Sequence, residues 1–534
     1  MRRKSLLLLI LLSFCLSFVS CVETTEKSLN KPNIIFFIAD DMRPEHFNFL
    51  NTGDDKYLTP TIDRLSKEGT IMMNQHVVSP VCSPSRYNTL TGRFGSRATN
   101  KEFTDFTKEQ EGQTCIQWNT FITDKDITLP MLLKKAGYQT GMVGKNHVFE
   151  VLSPQRFESY DVDPQDPVVM NQMKSNYKNV RDGILKYGFD YAEALYDNNP
   201  HFIGIDEMAV HNLDWVTDAG LKFIEQNNDD PFFLYFATTT PHGPSEAKRS
   251  WNADPLKTAD GFLEDTIKTV PSRISIKERI EDAGIKSPNA ENILWIDDAL
   301  HALYTKLEEM GELDNTIIFF FSDHGQNAKG TLYQGGVYDP SLVWKKGGFQ
   351  CGNINNTLVS NIDFAPTILD IANYKYDQNY FDGRSFLPSL EGSNSEIHES
   401  LYFELGFARG VRKGDYKYLA VRYPEYAMNW TVEERQKVLD EYNDARRFRK
   451  VNIVNEDPTK PFSHLEILPG GGDAEKESTG KYPAYYEADQ LYNITEDPGE
   501  LKNLAKEKKY QAKLKEMQTE LKKYLENLPG KFEL

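Results

Sequence analysis

The chain has 534 residues, with 61 basic and 79 acidic side chains and a formal charge of −18 at pH 7. A hydrophobic fraction of 39% excludes a wholly disordered chain, and the length calls for one large domain plus a smaller one. Net acidity without a Lys/Arg-rich block excludes a general nucleic-acid binder, so an anionic substrate needs locally placed positive charge; five Cys are too few for a disulfide-built scaffold.

In chain order, residues 1–20 read as a secretory signal. Arg2, Arg3 and Lys4 form its positive start, Leu6 to Leu12 is wholly apolar, and the apolar stretch runs on to Val19. The run is too short to read as a membrane span. Ser20 before Cys21 is the pattern of bacterial lipoprotein processing, which would make Cys21 a lipidated N-terminus; ordinary cleavage nearby is the alternative. Losing residues 1–20 removes three bases and no acid, leaving −21. The expected location is the periplasm, or the outer membrane or cell surface as a lipoprotein. Cys82, Cys115 and Cys351 then remain, an odd number for an exported protein. Buried thiols are preferred to a disulfide for Cys115 and Cys351.

After a polar tether (Val22 to Lys31) come four apolar runs of one format. Residues 33–39 end in Asp40 and Asp41. Residues 141–143 end in Gly144, Lys145, Asn146 and His147. Residues 232–237 end in three Thr, Pro241 and His242. Residues 316–321 end in Ser322, Asp323, His324 and Gly325. Continuous β-branched and aromatic runs predict strands buried on both faces, hence a parallel sheet. Between them, helices are predicted from Pro60 to about Gly69, from Pro130 to Gly137, and over roughly 208–226 and 289–310, with Pro near the starts and Gly after the ends. Strand alternating with helix means α/β. From about residue 396 the texture changes. Residues 401–404 and 410–420 predict a small antiparallel hairpin sheet, residues from Pro469 a polar loop, and residues 500–528 a charged terminal helix with one apolar stripe. The domain division is therefore 31–395 for a large α/β domain and 396–534 for a C-terminal subdomain.

Ligands of open parallel sheets bind beyond the carboxyl ends of the strands. One acid or His after a strand is usually a turn residue. Four strand ends with that character, carrying three of the ten His, point to a shared site.

The segment Cys82-Ser83-Pro84-Ser85-Arg86, with Leu90-Thr91-Gly92-Arg93 after it, narrows the chemistry. A buried thiol opening a helix is the plain reading. The same residues are the signature of the formylglycine-dependent sulfatases, and the chain resembles that family over most of its mature length. The resemblance implies an alkaline-phosphatase-like mixed sheet sandwiched by helices, with a smaller C-terminal antiparallel sheet. It implies that a maturation enzyme oxidises Cys82 to formylglycine, whose hydrate attacks sulfur and then expels sulfate. Asp40, Asp41 and Asp323 resemble ligands of the family's single divalent cation, usually Ca²⁺. His324 stands where many members have Asn, and modified Cys82 completes the set. Arg86 resembles the residue that steadies the formylglycine. Lys145 and His147 resemble the pair at the diol and sulfate, His242 the His near the leaving oxygen, and Lys329 the second sulfate-binding Lys. Which of these is general acid and which base stays open. Residues 359–370, 382–387 and 491–500 resemble further family segments and read as structural.

The segments 94–127 and 149–202 match no motif and are expected to shape the substrate pocket. His46, His201, His211 and Arg412 are candidate substrate contacts, each against a bland surface or core reading. The implied activity is hydrolysis of sulfate esters on a sulfated carbohydrate. A phosphoester or phosphonate hydrolase on the same fold is the alternative; a non-catalytic glycan-binding lipoprotein would have no reason to keep all these groups.

Overall fold

The computed structural model describes residues 31–534 apart from 51–55, 228–229, 350–352, 449–452, 454 and 461–464. The proposed signal, the lipidation at Cys21 and Cys351 lie outside the described residues. Eight strands form the main sheet: β1 (Asn33–Asp40), β2 (Thr70–Met72), β3 (Gln139–Lys145), β4 (Tyr191–Tyr196), β5 (Phe232–Pro241), β6 (Thr316–Ser322), β7 (Ser341–Lys345) and β8 (Asn353–Asn355). Their order is β8-β2-β7-β6-β1-β5-β3-β4, and all run parallel except β7. The four apolar runs of the sequence are the adjacent central strands β6, β1, β5 and β3.

Both-faced burial follows from the alternation of side chains along each strand. Ile34, Phe36 and Ile38 of β1 enter one core, with Leu90 of the helix Cys82–Thr91, Leu133 of Leu129–Lys135 and Ile368 of Phe364–Ile371. Ile35, Phe37 and Ala39 enter the other, with Leu65 of Pro60–Glu68, Phe223 of Leu213–Gln226 and Leu300 of Ala290–Glu309. A second sheet is wholly antiparallel, in the order β9 (Ser400–Leu405), β10 (Ala408–Lys413), β11 (Tyr416–Val421), β12 (Asp489–Asn493). The α/β fold with a large mixed sheet between helices and a small antiparallel sheet is the expected one.

Three predicted boundaries differ. The helix expected from residue 208 starts at Leu213, because the Asn212 side chain accepts from Trp215 N–H and caps it there. The terminal helix is Gln511–Leu525. Before it, Leu504 N–H bonds Leu491 carbonyl at 2.8 Å and the Asn503 side chain accepts from Leu491 N–H at 2.9 Å, so β12 holds residues 503–504 in an extended path. The stretch after Pro469 is not all loop: residues Gly472–Lys481 are helical. Cys115 is a free, buried thiol whose pKa burial pushes up to about 12.

Candidate active site

The carboxyl edge of the main sheet gathers the strand-end residues. Asp40, fully buried, accepts from Arg86 Nη2 at 3.0 Å through Oδ1 and from Lys145 Nζ at 2.7 Å through Oδ2. Asp41 follows in the left-handed region at φ 65°. Its carboxylate accepts from Lys329 Nζ at 2.6 and 2.8 Å, and its N–H donates to Asp323 Oδ1 at 3.0 Å. Arg86 Nη2 also reaches Asp323 Oδ2 at 3.3 Å, so one guanidinium ties the ends of β1 and β6.

Cys82 is the first residue of the helix Cys82–Thr91, and Arg86 lies one turn later on the same face. That periodicity is why the motif spaces them by four. Cys82 Sγ is 3.7 Å from His324 Nε2 and 3.7 Å from Lys329 Nζ. Two glycines make the approach possible. Gly92 ends this helix at φ 64°, and a Cβ there would sit 2.5 Å from the Phe381 ring. Gly144 turns β3 toward Lys145 at φ 89°, where a Cβ would be 1.8 Å from the Ala237 carbonyl oxygen.

Electrostatics follow from the contacts. Burial resists a charge on Cys82, but Lys145 and Lys329, with a hydrogen bond from His147, hold its thiol well below the ordinary range. Burial likewise resists a charge on Asp41, yet Lys329, His242 and His324 hold its carboxyl well below the usual range. Burial lowers His324, and Asp323, Asp41 and Cys82 override it, keeping the imidazole well above its usual value. His147 goes the other way: burial pushes it down to about 4, so it is neutral at pH 7.

Ligand atoms of Asp41, Cys82, Asp323 and His324 lie within 4.8 Å of one another, a grouping that could hold a metal ion. Hard carboxylate oxygens with one imidazole fit a divalent cation. Asp40 stands beside this group, its carboxylate engaged by Arg86 and Lys145.

The family-like segments are clamps. Asn361 is buried; its Oδ1 accepts from Val78 N–H at 3.1 Å, and its Nδ2 donates to the Ser85 carbonyl and hydroxyl at 3.2 and 3.0 Å. Asp382 accepts from Phe94 N–H at 2.9 Å, just past the helix Cys82–Thr91. Glu500 forms an ion pair with Lys417 at 2.8 Å and accepts from Gln334 N–H, five residues beyond Lys329.

A cavity of about 700 Å³ opens over Cys82, His147, His242 and Lys329. Its walls come from the two segments without motifs, among them Glu102, Trp118, Glu150, Asn199 and His201. His201 is thus the one candidate substrate contact that lines this cavity. His211 is buried behind it, its Nδ1 2.7 Å from Thr239 Oγ1. His46 is a core residue: its Nδ1 accepts from Arg43 N–H at 3.1 Å and its ring meets Tyr57 edge-on. Arg412 lines a different cavity and contacts His76 Nε2 at 2.9 Å. Asp197, Asn198 and Asn199 were missed. They follow β4, a strand hidden inside a segment read as an insert, and form a fifth polar strand end at the same edge.

A mixed sheet that carries a buried helix opening with Cys82, paired cations and clustered carboxylates at its carboxyl edge defines an ester hydrolase of alkaline-phosphatase-like build. The family model described as Sulfatase matches residues 32–374, and one described as N-sulphoglucosamine sulphohydrolase, C-terminal, matches residues 322–460. The chain belongs to the sulfatase family and is a sulfuric ester hydrolase. It is 26% identical over 519 residues to an ulvan-active sulfatase of Formosa agariphila, covering 94% of this chain and 76% of that one. Among solved structures, a sulfatase from the glycosaminoglycan metabolism of Bacteroides thetaiotaomicron has TM-score 0.58 at 18% identity, over 93% of this chain and 99% of that one. A phosphonate monoester hydrolase of Agrobacterium radiobacter has TM-score 0.56 at 16% identity, over 93% and 96%. These two likenesses show the fold, which hosts both chemistries.

Proposed function

We propose that the protein is an exported sulfatase that hydrolyses sulfate esters of a sulfated carbohydrate, with Cys82 matured to formylglycine and Ca²⁺ held by Asp40, Asp41, Asp323, His324 and position 82. The observation that carries this reading is the meeting of Cys82 Sγ with Lys329 and His324 over the Asp41 carboxylate. Carbohydrate as the substrate class is supported by the ulvan-active relative. Export, with a lipid on Cys21, is supported by the residues 1–21 alone.

A divalent cation would supply Lewis acidity toward a sulfate oxygen, and the aldehyde hydrate would supply the attacking oxygen. The chain's own residues do the rest. Lys145 and Lys329 bring positive charge to the side of position 82 where sulfate oxygens gather negative charge. Arg86 keeps the Asp40 and Asp323 carboxylates in place. Neutral His147 is suited to accept a proton from a hydroxyl at position 82. Burial opposes the charge on Lys329, but Asp41 and Cys82 raise its pKa far enough that it is protonated. The proton for the leaving alcohol comes from Lys329 or from His242. The Nδ1 of His242 is 2.9 Å from the Gly243 carbonyl and its Nε2, 3.0 Å from Asn199 Nδ2, lies at the cavity.

The test is sulfate release from a panel of sulfated glycans and oligosaccharides by protein co-expressed with a formylglycine maturase, beside Cys82→Ala. Release from one glycan that disappears in the variant is the expected result. Faster turnover of matched phosphate or phosphonate esters would reassign the chemistry.

A further inference from the structure

The catalytic cavity has a wall that the reaction itself does not use. Glu102 stands near the start of the helix Lys101–Glu109, Glu150 five residues past Lys145, and Asp197 at the end of β4, with Trp118 beside them. This wall is built rather than loose. Ile122 N–H donates to the Val148 carbonyl at 2.8 Å and Glu150 N–H to the Ile122 carbonyl at 3.0 Å, stitching the two segments together. The Tyr187 hydroxyl donates to the Glu150 carbonyl at 2.7 Å. Asn100 holds the loop after Trp118, donating to the Asn119 carbonyl at 2.8 Å and accepting from Phe121 N–H at 3.2 Å.

Three carboxylates, Glu102, Glu150 and Asp197, stand in this wall beside the neutral Ser153, Asn198 and Asn199. Asp197 accepts from Asn146 Nδ2 at 2.9 Å through Oδ1. Asn199 is 5% exposed, its Nδ2 is 3.0 Å from His242 Nε2, and its Oδ1 has no partner among the described residues. Glu102 and Glu150 are both exposed at the rim, and burial, then the Glu150 charge, raises the Glu102 carboxyl. The three carboxylates offer acceptors and call for donors. Among the described lining residues, the histidines aside, the only cation is Lys329, which is already on Asp41.

On the sulfatase reading above, we propose that this wall selects a sugar whose only anionic group near the cleaved bond is the sulfate itself. Its hydroxyls donate to Asp197, Glu102 and Glu150, and the Trp118 ring covers an apolar sugar face. A second sulfate or a uronate carboxylate on the same or the adjoining ring meets carboxylates with no cation to pair it, which is discrimination by repulsion.

Binding separates this inference from the reaction. Cys82→Ala protein with Ca²⁺ is titrated calorimetrically with regioisomeric monosulfated hexoses, each beside its disulfated and uronate-linked counterpart. The best monosulfated hexose is expected to bind about tenfold or more tightly than its polyanionic counterparts. Glu102→Gln combined with Glu150→Gln, both at the exposed rim, is expected to bring that ratio down toward one. Equal or tighter binding of the polyanions, no binding of any hexose sulfate, or a ratio untouched by the double variant would overturn the inference. Sulfate release by the matured wild-type enzyme is read separately. Selective binding without release would sink the hydrolysis reading and leave the specificity inference standing.

Discussion

Asn361 lies far from Cys82 in sequence, yet the geometry gives it a large share in holding the start of the helix that Cys82 opens. Its carboxamide is 1% exposed and makes three hydrogen bonds, to Val78 N–H and to both oxygens of Ser85. Ser85 in turn donates from its hydroxyl to the Asp323 carbonyl. Asn361→Ala orphans the buried Val78 N–H, at a cost of about 1–3 kcal/mol. It also removes two bonds from Ser85, and together the loss is expected near 3 kcal/mol. The start of the helix Cys82–Thr91 is released at the same time, and a shift of about 1 Å in a reacting group costs about a hundredfold in rate. Asn361→Asp keeps the acceptor for Val78 but turns an oxygen toward the Ser85 carbonyl, so it is expected to fail as badly in turnover. The assays are urea unfolding and sulfate release on the best substrate. Wild-type kcat in Asn361→Ala, at a stability loss below about 1 kcal/mol, would refute the clamp.

Three further outcomes are expected. His46 is pushed down to about 3 by burial and by Arg43, so it stays neutral in the fold while the unfolded chain takes a proton below about pH 6.5. Stability conferred by this depressed pKa is complete above pH 6.5 and is lost as pH falls toward 3; at pH 5 the loss is about 2 kcal/mol. His46→Gln should flatten that acid limb by this amount in urea titrations at pH 8 and pH 5. Ca²⁺ at a hundred times its Kd should raise unfolding free energy by about 2.7 kcal/mol, read as a thermal shift. Asp323→Asn should abolish that shift, and a full shift in the variant would remove Asp323 from the ligand set. Gly144→Ala puts a methyl 1.8 Å from the Ala237 carbonyl oxygen at φ 89°, where backbone cannot give way. Loss of folded protein, above about 4 kcal/mol, is expected in circular dichroism and soluble yield.

Much of this protein was legible in its residues, because its information is local. Continuous apolar runs of eight or fewer residues cannot be surface strands, so the central sheet and its direction followed from hydrophobicity alone. Polar residues placed after those runs marked the edge where Asp40, Lys145, His242 and Asp323 meet. Helical periodicity put Cys82 and Arg86 on one face. Tertiary structure decided what depends on non-local contacts. β4 was hidden because its run, Tyr191–Tyr196, is short, interrupted by Glu193 and without a β-branched residue, so it resembles an insert until it is paired with β3, and with it went Asp197 and Asn199. His46, His201, His211 and Arg412 were indistinguishable as letters. Only packing sent the first into the core, the second to the cavity, the third behind it and the last to another hollow. The β12 contacts that delay the terminal helix to Gln511 are likewise hydrogen bonds between distant residues, which no local propensity encodes.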